Sequence, residues 1–569
     1  MVVIMDTDTR KTHAIVNDPK ELERIYNDNI NNIWCGFNSR HYDQYILKGI
    51  LAGFNPKRLN DFIIVKHEPG WKFSSLLRQF PLNNYDVMNS LDRGLKSFEG
   101  FMGNSIKETS VPFDIDRKLT DEELKEVEKY CRHDVSQTMQ VFLERKSDFE
   151  AHLGLVKVAC EGKPLDLSLI GRTKAQLSAI ILDATRRDHD DEFDIDFPQS
   201  MRIEKYRDVV RWYQNPDNRC YKYPDGSPVQ LNINIAGVPH QFGWGGVHGA
   251  IPQYYGKGFF INMDVASLYP SLMIQYNLLS RNMSNPKKYE NIYHTRLKYK
   301  KEKNPLQAPL KLVLNTTYGV MKDKNNALFD PLQANRVCVY GQLLLLDLIE
   351  HLEPIAKIIQ SNTDGVLVKM PPGNDPDEWY AKVDDIAYEW EQRTGLTLEF
   401  DEYTEIFQKD VNNYVVIDAE GHFKSKGAYV KKLSRLDYDL PIVNKALIDF
   451  MVKGIPVDVT INSCNQLKEF QLVSKITYKY KHILYGNEPI NEKCIRIFAS
   501  KDDSDPGVRK VHAETNTPAK IPNSPEHCFL YNDEVNGLGC PEKLDKDWYI
   551  DLAVKRLSDF GVMANELYR

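Results

Sequence analysis

The chain has 569 residues, and at roughly 150 residues per domain that length implies three or four domains. Hydrophobic residues make up 42% and charged residues 27%, the proportions of an ordinary globular protein, which exclude a disordered, collagen-like or linker-dominated chain. The net charge of −7 excludes a protein that coats nucleic acid with its whole surface, so any DNA or RNA contact must use positive charge gathered locally. The nine cysteines contain no C-x-x-C pair, which argues against a disulfide framework and a structural zinc site. The apolar run Leu343–Leu346 is cut by Asp347, and no stretch suits a signal peptide or a membrane span. The expectation is a reduced, cytoplasmic protein (host cytoplasm if phage-encoded) with no membrane partner.

In chain order, Val2–Met5 and Ala14–Val16 read as strands and Pro19–Tyr26 as a helix. Ile33–Phe37 reads as a strand that runs into the polar turn Asn38–His41. This mixture suits an α/β or α+β domain. The acidic stretch 188–192 reads as a solvated loop rather than a metal site.

Sharper signals begin at Phe259. An apolar strand ends in Asp264, and a turn closed by Pro270 leads toward a helix. A carboxylate among Phe, Ile and Met residues is costly without a cation or hydrogen-bond partners. A basic stretch follows from Lys287 to Lys303, in which Arg296 and Lys300 are spaced i, i+4 and can face one anion. Pro309 opens a further helix on which Lys311, Asn315 and Tyr318 fall on one face. A lysine, an amide and an aromatic ring so aligned could grip a triphosphate, a sugar and a base.

Two apolar, β-branched runs between Ile355 and Met370 flank an Asn/Asp/Gly turn, which reads as a hairpin with Asp364 at its tip. If Asp264 sits opposite Asp364, the two carboxylates can bridge two divalent ions. Two later stretches interleave lysines with tyrosines: Lys424, Lys426, Tyr429, Lys431 and Lys432, then Lys475, Tyr478, Lys479, Tyr480 and Lys481. Such patches suit a phosphate backbone with sugars or bases stacked alongside.

Taken together and in this order, these segments resemble the polymerase motifs of the family B (polymerase alpha-like) DNA polymerases, compact bacteriophage type. Asp264 with Ser267-Leu268-Tyr269-Pro270-Ser271 is similar to D-x-x-S-L-Y-P-S, Lys311 to Gly319 to K-x-x-x-N-x-x-Y-G, and Thr363-Asp364-Gly365 to the end of D-T-D-S/G. Gly243-Trp244-Gly245-Gly246 is similar to the template-contacting Y-x-G-G segment. Asn38 to Asp43 and Tyr130 to Asp134 are similar to the second and third exonuclease motifs.

The resemblance implies a multidomain α/β and α+β fold: an RNase H-like 3′–5′ exonuclease domain followed by a right-hand polymerase with palm, short fingers and thumb. The implied boundaries are 1–160 for the exonuclease domain, 161–240 for a connecting region, 241–290 and 336–430 for the palm, 291–335 for the fingers, and 431–569 for the thumb and C-terminal region by position alone. It implies a DNA-directed DNA polymerase acting on primer–template DNA and dNTPs with accessory replication proteins. Asp264 and Asp364 would be catalytic, and with Val265 would hold two Mg²⁺ ions, for which Mn²⁺ can substitute. Ser267, Leu268, Tyr269, Arg296, Lys300, Lys311, Asn315 and Tyr318 would bind the nucleotide, Tyr269 as the steric gate against a 2′-hydroxyl. Gly245, Gly246, Tyr414, Lys424 and Lys426 would contact DNA, and Asn38, Asp43, Tyr130 and Asp134 would belong to the exonuclease site.

Four departures qualify the resemblance. Asn362 replaces the first Asp of D-T-D, and Asn412-Asn413-Tyr414 stands where the family has K-x-Y. The D-x-E of the first exonuclease strand is matched only by Asp6-Thr7-Asp8, which the element pattern places in a turn. One strand fewer than in the family precedes Asn38, so the expectation is an exonuclease fold with half its metal site, from absent proofreading or a start set too far downstream. The intervals from Asp264 to Lys311 and from Gly319 to Asp364 have no room for the insertions of protein-primed members, so no terminal-protein priming is expected. The competing readings are a catalytically silent polymerase-fold DNA-binding replication factor, suggested by Asn362, and an enzyme acting mainly as a nuclease.

Overall fold

The computed structural model describes residues 1–112, 115 and 117–563. Their contacts divide them into two units. The first comprises Met1–Thr173, Leu433–Ile442 and Asn462–Tyr549; the second comprises Lys174–Lys432, Val443–Ile461 and the residues from Ile550 on.

The first unit opens with β1 (Val2–Met5) and β2 (Thr12–Ile15), an antiparallel pair. The helix α1 (Pro19–Asp28) is capped by Asp18, whose side chain accepts from the Glu21 N–H, and has Pro at its start. A parallel pair follows, β3 (Ile33–Gly36) with β4 (Asn83–Asp86), joined through α2 (Asp43–Leu51) and α3 (Pro56–Asn60). Parallel pairing needs such a crossover and fits the α/β expectation for this region. Next come α4 (Leu95–Met102), α5 (Asp121–Glu144) and α6 (Lys146–Ala159). A capping box of Thr120 and Glu123 starts α5.

The second unit is built on a nine-stranded sheet. After α7 (Lys174–Ile181) and α8 (Arg207–Gln214) come β5 (Gln230–Ile235), β6 (Val238–Gly243), β7 (His248–Ala250) and the long β8 (Tyr254–Val265). Four helices follow: α9 (Leu268–Gln275), α10 (Lys287–Lys301), α11 (Gln307–Val320) and α12 (Pro331–Leu352). The hairpin β9 (Lys357–Asn362) and β10 (Gly365–Lys369), helix α13 (Pro376–Thr394), and strands β11 (Leu398–Asp410), β12 (Asn413–Ile417) and β13 (Phe423–Lys426) complete it. The strand order is β13-β12-β11-β8-β10-β9-β7-β6-β5.

Both neighbours of β8 run antiparallel to it, with Asp264 opposite Gly365 on β10 and Glu399 on β11. Since directly opposed residues share a face, Asn262, Asp264, Glu399 and Asp401 stand on one side of the sheet. Ile261, Met263, Val265, Val366 and Val368, on the other side, are buried. On the acidic side, a cluster of Phe260, Leu367, Tyr403, Ile406 and Val416 anchors the sheet beside the carboxylates.

The chain then returns to the first unit with β14 (Leu472–Lys475), β15 (Tyr480–Tyr485), β16 (Glu488–Ile490), β17 (Cys494–Ala499), β18 (Val508–His512), β19 (Pro518–Lys520) and β20 (Cys528–Leu530). They form one sheet of order β14-β17-β20 and another of order β16-β15-β18-β19. The stretch 431–569, expected by position to form one thumb region, is thus divided, and Asn462–Tyr549 clusters with the N-terminal residues. The cause is packing that no local pattern announces. Helix α4 lies so close to β14 that a Cβ at Gly100 would come within 2.6 Å of Val473. Among the described residues no helix is long and apolar enough to cross a membrane.

Candidate active site

The β8–β10 register draws the two expected acids together. The Val265 N–H donates to the Asp364 main-chain oxygen at 2.7 Å, which fixes the hairpin tip against the end of β8. A Cβ at Gly365 would meet Asp264 Oδ1 at 1.9 Å, so a residue without a side chain lets the two segments close. Burial pushes the Asp264 carboxyl up to about 6, and the charge of Asp364 adds to the effect. Among the described residues neither acid makes an ion pair. Asn262 Nδ2 donates to Asp264 Oδ2 at 2.8 Å and orients it. The Lys424 ammonium offsets the upward shift only in part, and a desolvated acid beside a second acid, with no direct ion pair, is a donor set that fits divalent ions.

Two acids near this pair escape motif reading. Asp401 on β11 also raises Asp264, and it ion-pairs with Lys424 at 2.8 Å. Glu399 is exposed directly opposite Asp264. Their alternation on β11 becomes informative only once the register with β8 is known. Lys424, expected on DNA, is thus already paired with a carboxylate. Tyr414 is half-buried on the same face, with Lys426 opposite it on β13.

Helix α9 starts beyond Asp264 at Ser267, which adopts a left-handed φ of 51°. Pro270 falls in the first turn, where a missing N–H costs nothing. The Leu268 side chain is buried. Tyr269 stacks on Tyr318, their ring centroids 4.0 Å apart at 18°. On α11, which holds all three residues in one continuous helix, Lys311 and Asn315 are exposed and Tyr318 is half-buried, its ring against Tyr269. Arg296 departs from expectation: it is 9% exposed and its Nε has no hydrogen-bond partner, while Lys300 is exposed. A buried guanidinium of this kind is suited to a bound anion.

Gly245 and Gly246 lead into β7, and a Cβ at Gly246 would lie 2.4 Å from Thr363 Oγ1. The glycine pair therefore abuts the turn that carries Asp364. Trp244 is buried, with its Nε1–H donating to the Asn218 carbonyl. The acidic stretch is partly structural rather than a solvated loop, because Arg281 binds Asp191 through two nitrogens at 2.6 and 2.9 Å.

In the first unit, the Asn38 N–H donates to Asp86 at 2.8 Å and Asn38 adopts a positive φ of 59°. Asp43 is exposed in the first turn of α2. Asp134 pairs with Lys96 at 3.2 Å, and Lys96 also binds the fully buried Glu99 at 3.0 Å. Tyr130 donates to Glu108 at 3.0 Å. The sequence reading missed Lys96 and Glu99, whose i, i+3 spacing on α4 is a weak signal without the partner helix. Asp6 and Asp8 lie in the exposed turn between β1 and β2, where Asp6 Oδ1 accepts from the N–H groups of Asp8 and Thr9.

No family model matches the chain. It is similar to DNA polymerase 1 of Saccharolobus solfataricus, 23% identical over 307 residues that cover 45% of this chain and 33% of that protein. It is also similar to DNA polymerase 1 of Aeropyrum pernix, 24% identical over 226 residues, 32% of this chain and 23% of that protein. A DNA polymerase of Acidianus bottle-shaped virus is 31% identical over 130 residues, 21% of this chain and 19% of the viral protein. The matched regions therefore span a third or less of each relative's length. A solved family B DNA polymerase from Pyrobaculum calidifontis aligns over 96% of this chain and 72% of its own, with 13% identity and a TM-score of 0.41. The chain is thus similar in sequence to DNA polymerases of archaea and of an archaeal virus.

Proposed function

We propose that this chain is a DNA-directed DNA polymerase that adds dNTPs to a primer 3′-hydroxyl during replication of a phage-type replicon. The observation that carries the reading is the Asp264–Asp364 pair, brought together by strand register and, among the described residues, in no direct ion pair. Asp264 and Asp364, with the Val265 carbonyl, would hold two divalent ions, Mg²⁺ or Mn²⁺, which when bound make the primer hydroxyl a better nucleophile and neutralise the triphosphate.

The chain's own residues bind and orient. Arg296, Lys300 and Lys311 neutralise the triphosphate, Arg296 doing so from a buried position where its charge is least screened. The backbone at Ser267 and Leu268 supports the phosphates at the start of α9. Tyr269 lies under the deoxyribose, and its ring excludes a 2′-hydroxyl. Asn315 and Tyr318 border the nascent base pair, while Gly245, Gly246, Tyr414 and Lys426 lie along the DNA. Asn362 supplies an amide oxygen in place of a charge, so the chemistry rests on two carboxylates. The short intervals around α10 and α11 suit ordinary primers supported by accessory proteins rather than a terminal protein. The nuclease centre is impaired in this reading, because Asp134 is engaged by Lys96 rather than free for a metal.

The test is a 5′-labelled primer on a longer template with Mg²⁺. Lengthening with dNTPs and an unchanged primer without them is the expected result. Absence of lengthening together with retained DNA binding would replace this reading by that of a silent replication factor. Shortening without dNTPs would restore the nuclease centre.

A further inference from the structure

The stacked tyrosines pose a physical question. Aromatic pairs favour offset or edge-to-face arrangements over close parallel stacking, yet Tyr269 and Tyr318 lie at 4.0 Å and 18°. A hydrogen bond between the two side chains holds the pair from within, and contacts from outside hold it as well. The Tyr318 hydroxyl contacts the Sγ of Cys338, a residue of α12 that is buried. Lys322, just past the end of α11, donates through Nζ to the same Sγ at 3.4 Å and to the Trp244 carbonyl at 2.8 Å. Its ammonium also lies 5.8 Å from the centroid of the Tyr318 ring, within cation–π range.

Among the described residues Lys322 makes no ion pair. A half-buried lysine whose donors go to a thiol and a carbonyl, with no carboxylate, is placed for geometry rather than for charge balance. The carbonyl it holds belongs to the segment that precedes Gly245 and Gly246. Gln342 Nε2 binds the same segment through the Gly243 and Gly245 carbonyls, at 2.8 Å each. Lys322 therefore joins three things: the ring that stacks on Tyr269, the helix behind it, and the glycine segment against the Asp364 turn.

We propose that Lys322 is a positioning residue for sugar selection, fixing Tyr318 through Cys338 and so setting the depth of the Tyr269 ring beneath the incoming nucleotide. The inference rests on the polymerase reading and deepens it. Without the ammonium, Cys338 loses the donor that fixes it beside the Tyr318 hydroxyl and the Tyr318 ring loses its neighbouring cation, so the Tyr269 ring can tilt away from the position a 2′-hydroxyl would need.

The experiment compares wild type, Lys322→Met, Lys322→Arg and Cys338→Ala in single-nucleotide addition with each dNTP and its rNTP. The methionine and alanine variants should raise kcat/KM for the rNTP by about tenfold, the range over which a pocket discriminates by shape. The arginine variant, which keeps a donor, should stay near wild type. A gain in rNTP use is a readout that loss of folding cannot produce. Unchanged or lower rNTP use in both Lys322→Met and Cys338→Ala overturns the proposal while leaving the polymerase reading intact. A wild-type chain that adds neither dNTP nor rNTP overturns both.

Discussion

Arg296 and Arg496 are both buried, and their surroundings give them opposite roles. The Arg496 guanidinium uses all five N–H groups, on Gln471 Oε1 and on the carbonyls of Gly100, Asn104, Tyr531 and Asp533, at 2.8 to 3.1 Å. It ties the end of α4 to β17 and the loop after β20, and burial lowers its pKa to about 10. Replacing it by methionine leaves five carbonyl-type acceptors short of donors, and we expect a loss of about 3 to 5 kcal/mol in denaturant unfolding. Lysine, with three donors and no planar fork, should not restore it. Arg296 by contrast has a buried Nε without a partner, so Arg296→Met should leave the unfolding midpoint unchanged or raised while weakening dNTP use. The residue types at both positions are legible in the sequence, but burial and partners are not. The same holds for Asp401, whose pairing with Lys424 depends on strand register.

At the scale of elements, the hairpin around Asp364 and the strand ending in Asp264 are legible because alternation and turn chemistry are local signals. Helix α11 is legible too, but the stacking of Tyr318 on Tyr269 is not, since spacing orders the Cα positions and says nothing of Tyr269 beside them. The contact between Gly246 and Thr363 belongs to this scale, because it sets how closely the glycine segment meets the turn that carries Asp364. Gly246→Ala would place a Cβ 2.4 Å from Thr363 Oγ1 and 3.0 Å from its Cγ2. It should lower kcat/KM for dNTP addition by roughly ten- to a hundredfold, the cost of displacing a reacting group by about an ångström. Adding Thr363→Ala removes both of those atoms, and the double variant should regain part of the lost rate. Additive losses in the double variant would show that the two positions act separately.

For the whole molecule, local patterns give the mixed α/β character of the first unit and the sheet of the second. They do not give the grouping of Asn462–Tyr549 with Met1–Thr173, which depends on contacts such as Arg496 with Gly100 between segments hundreds of residues apart. The chain's net charge of −7 likewise conceals a local concentration of basic residues on α10. In the proposed function, Asp264 and Asp364 form the centre of a template-directed polymerase. It is tested most directly by single-nucleotide addition opposite each of the four template bases, with wild type and Asp364→Asn, alongside primer–template binding. Wild type should add only the complementary dNTP, and the variant should bind DNA as before but add it about a thousandfold more slowly, the loss of several kcal/mol of charge stabilisation. Addition that ignores the template base, or an Asp364→Asn variant as fast as wild type, would contradict it.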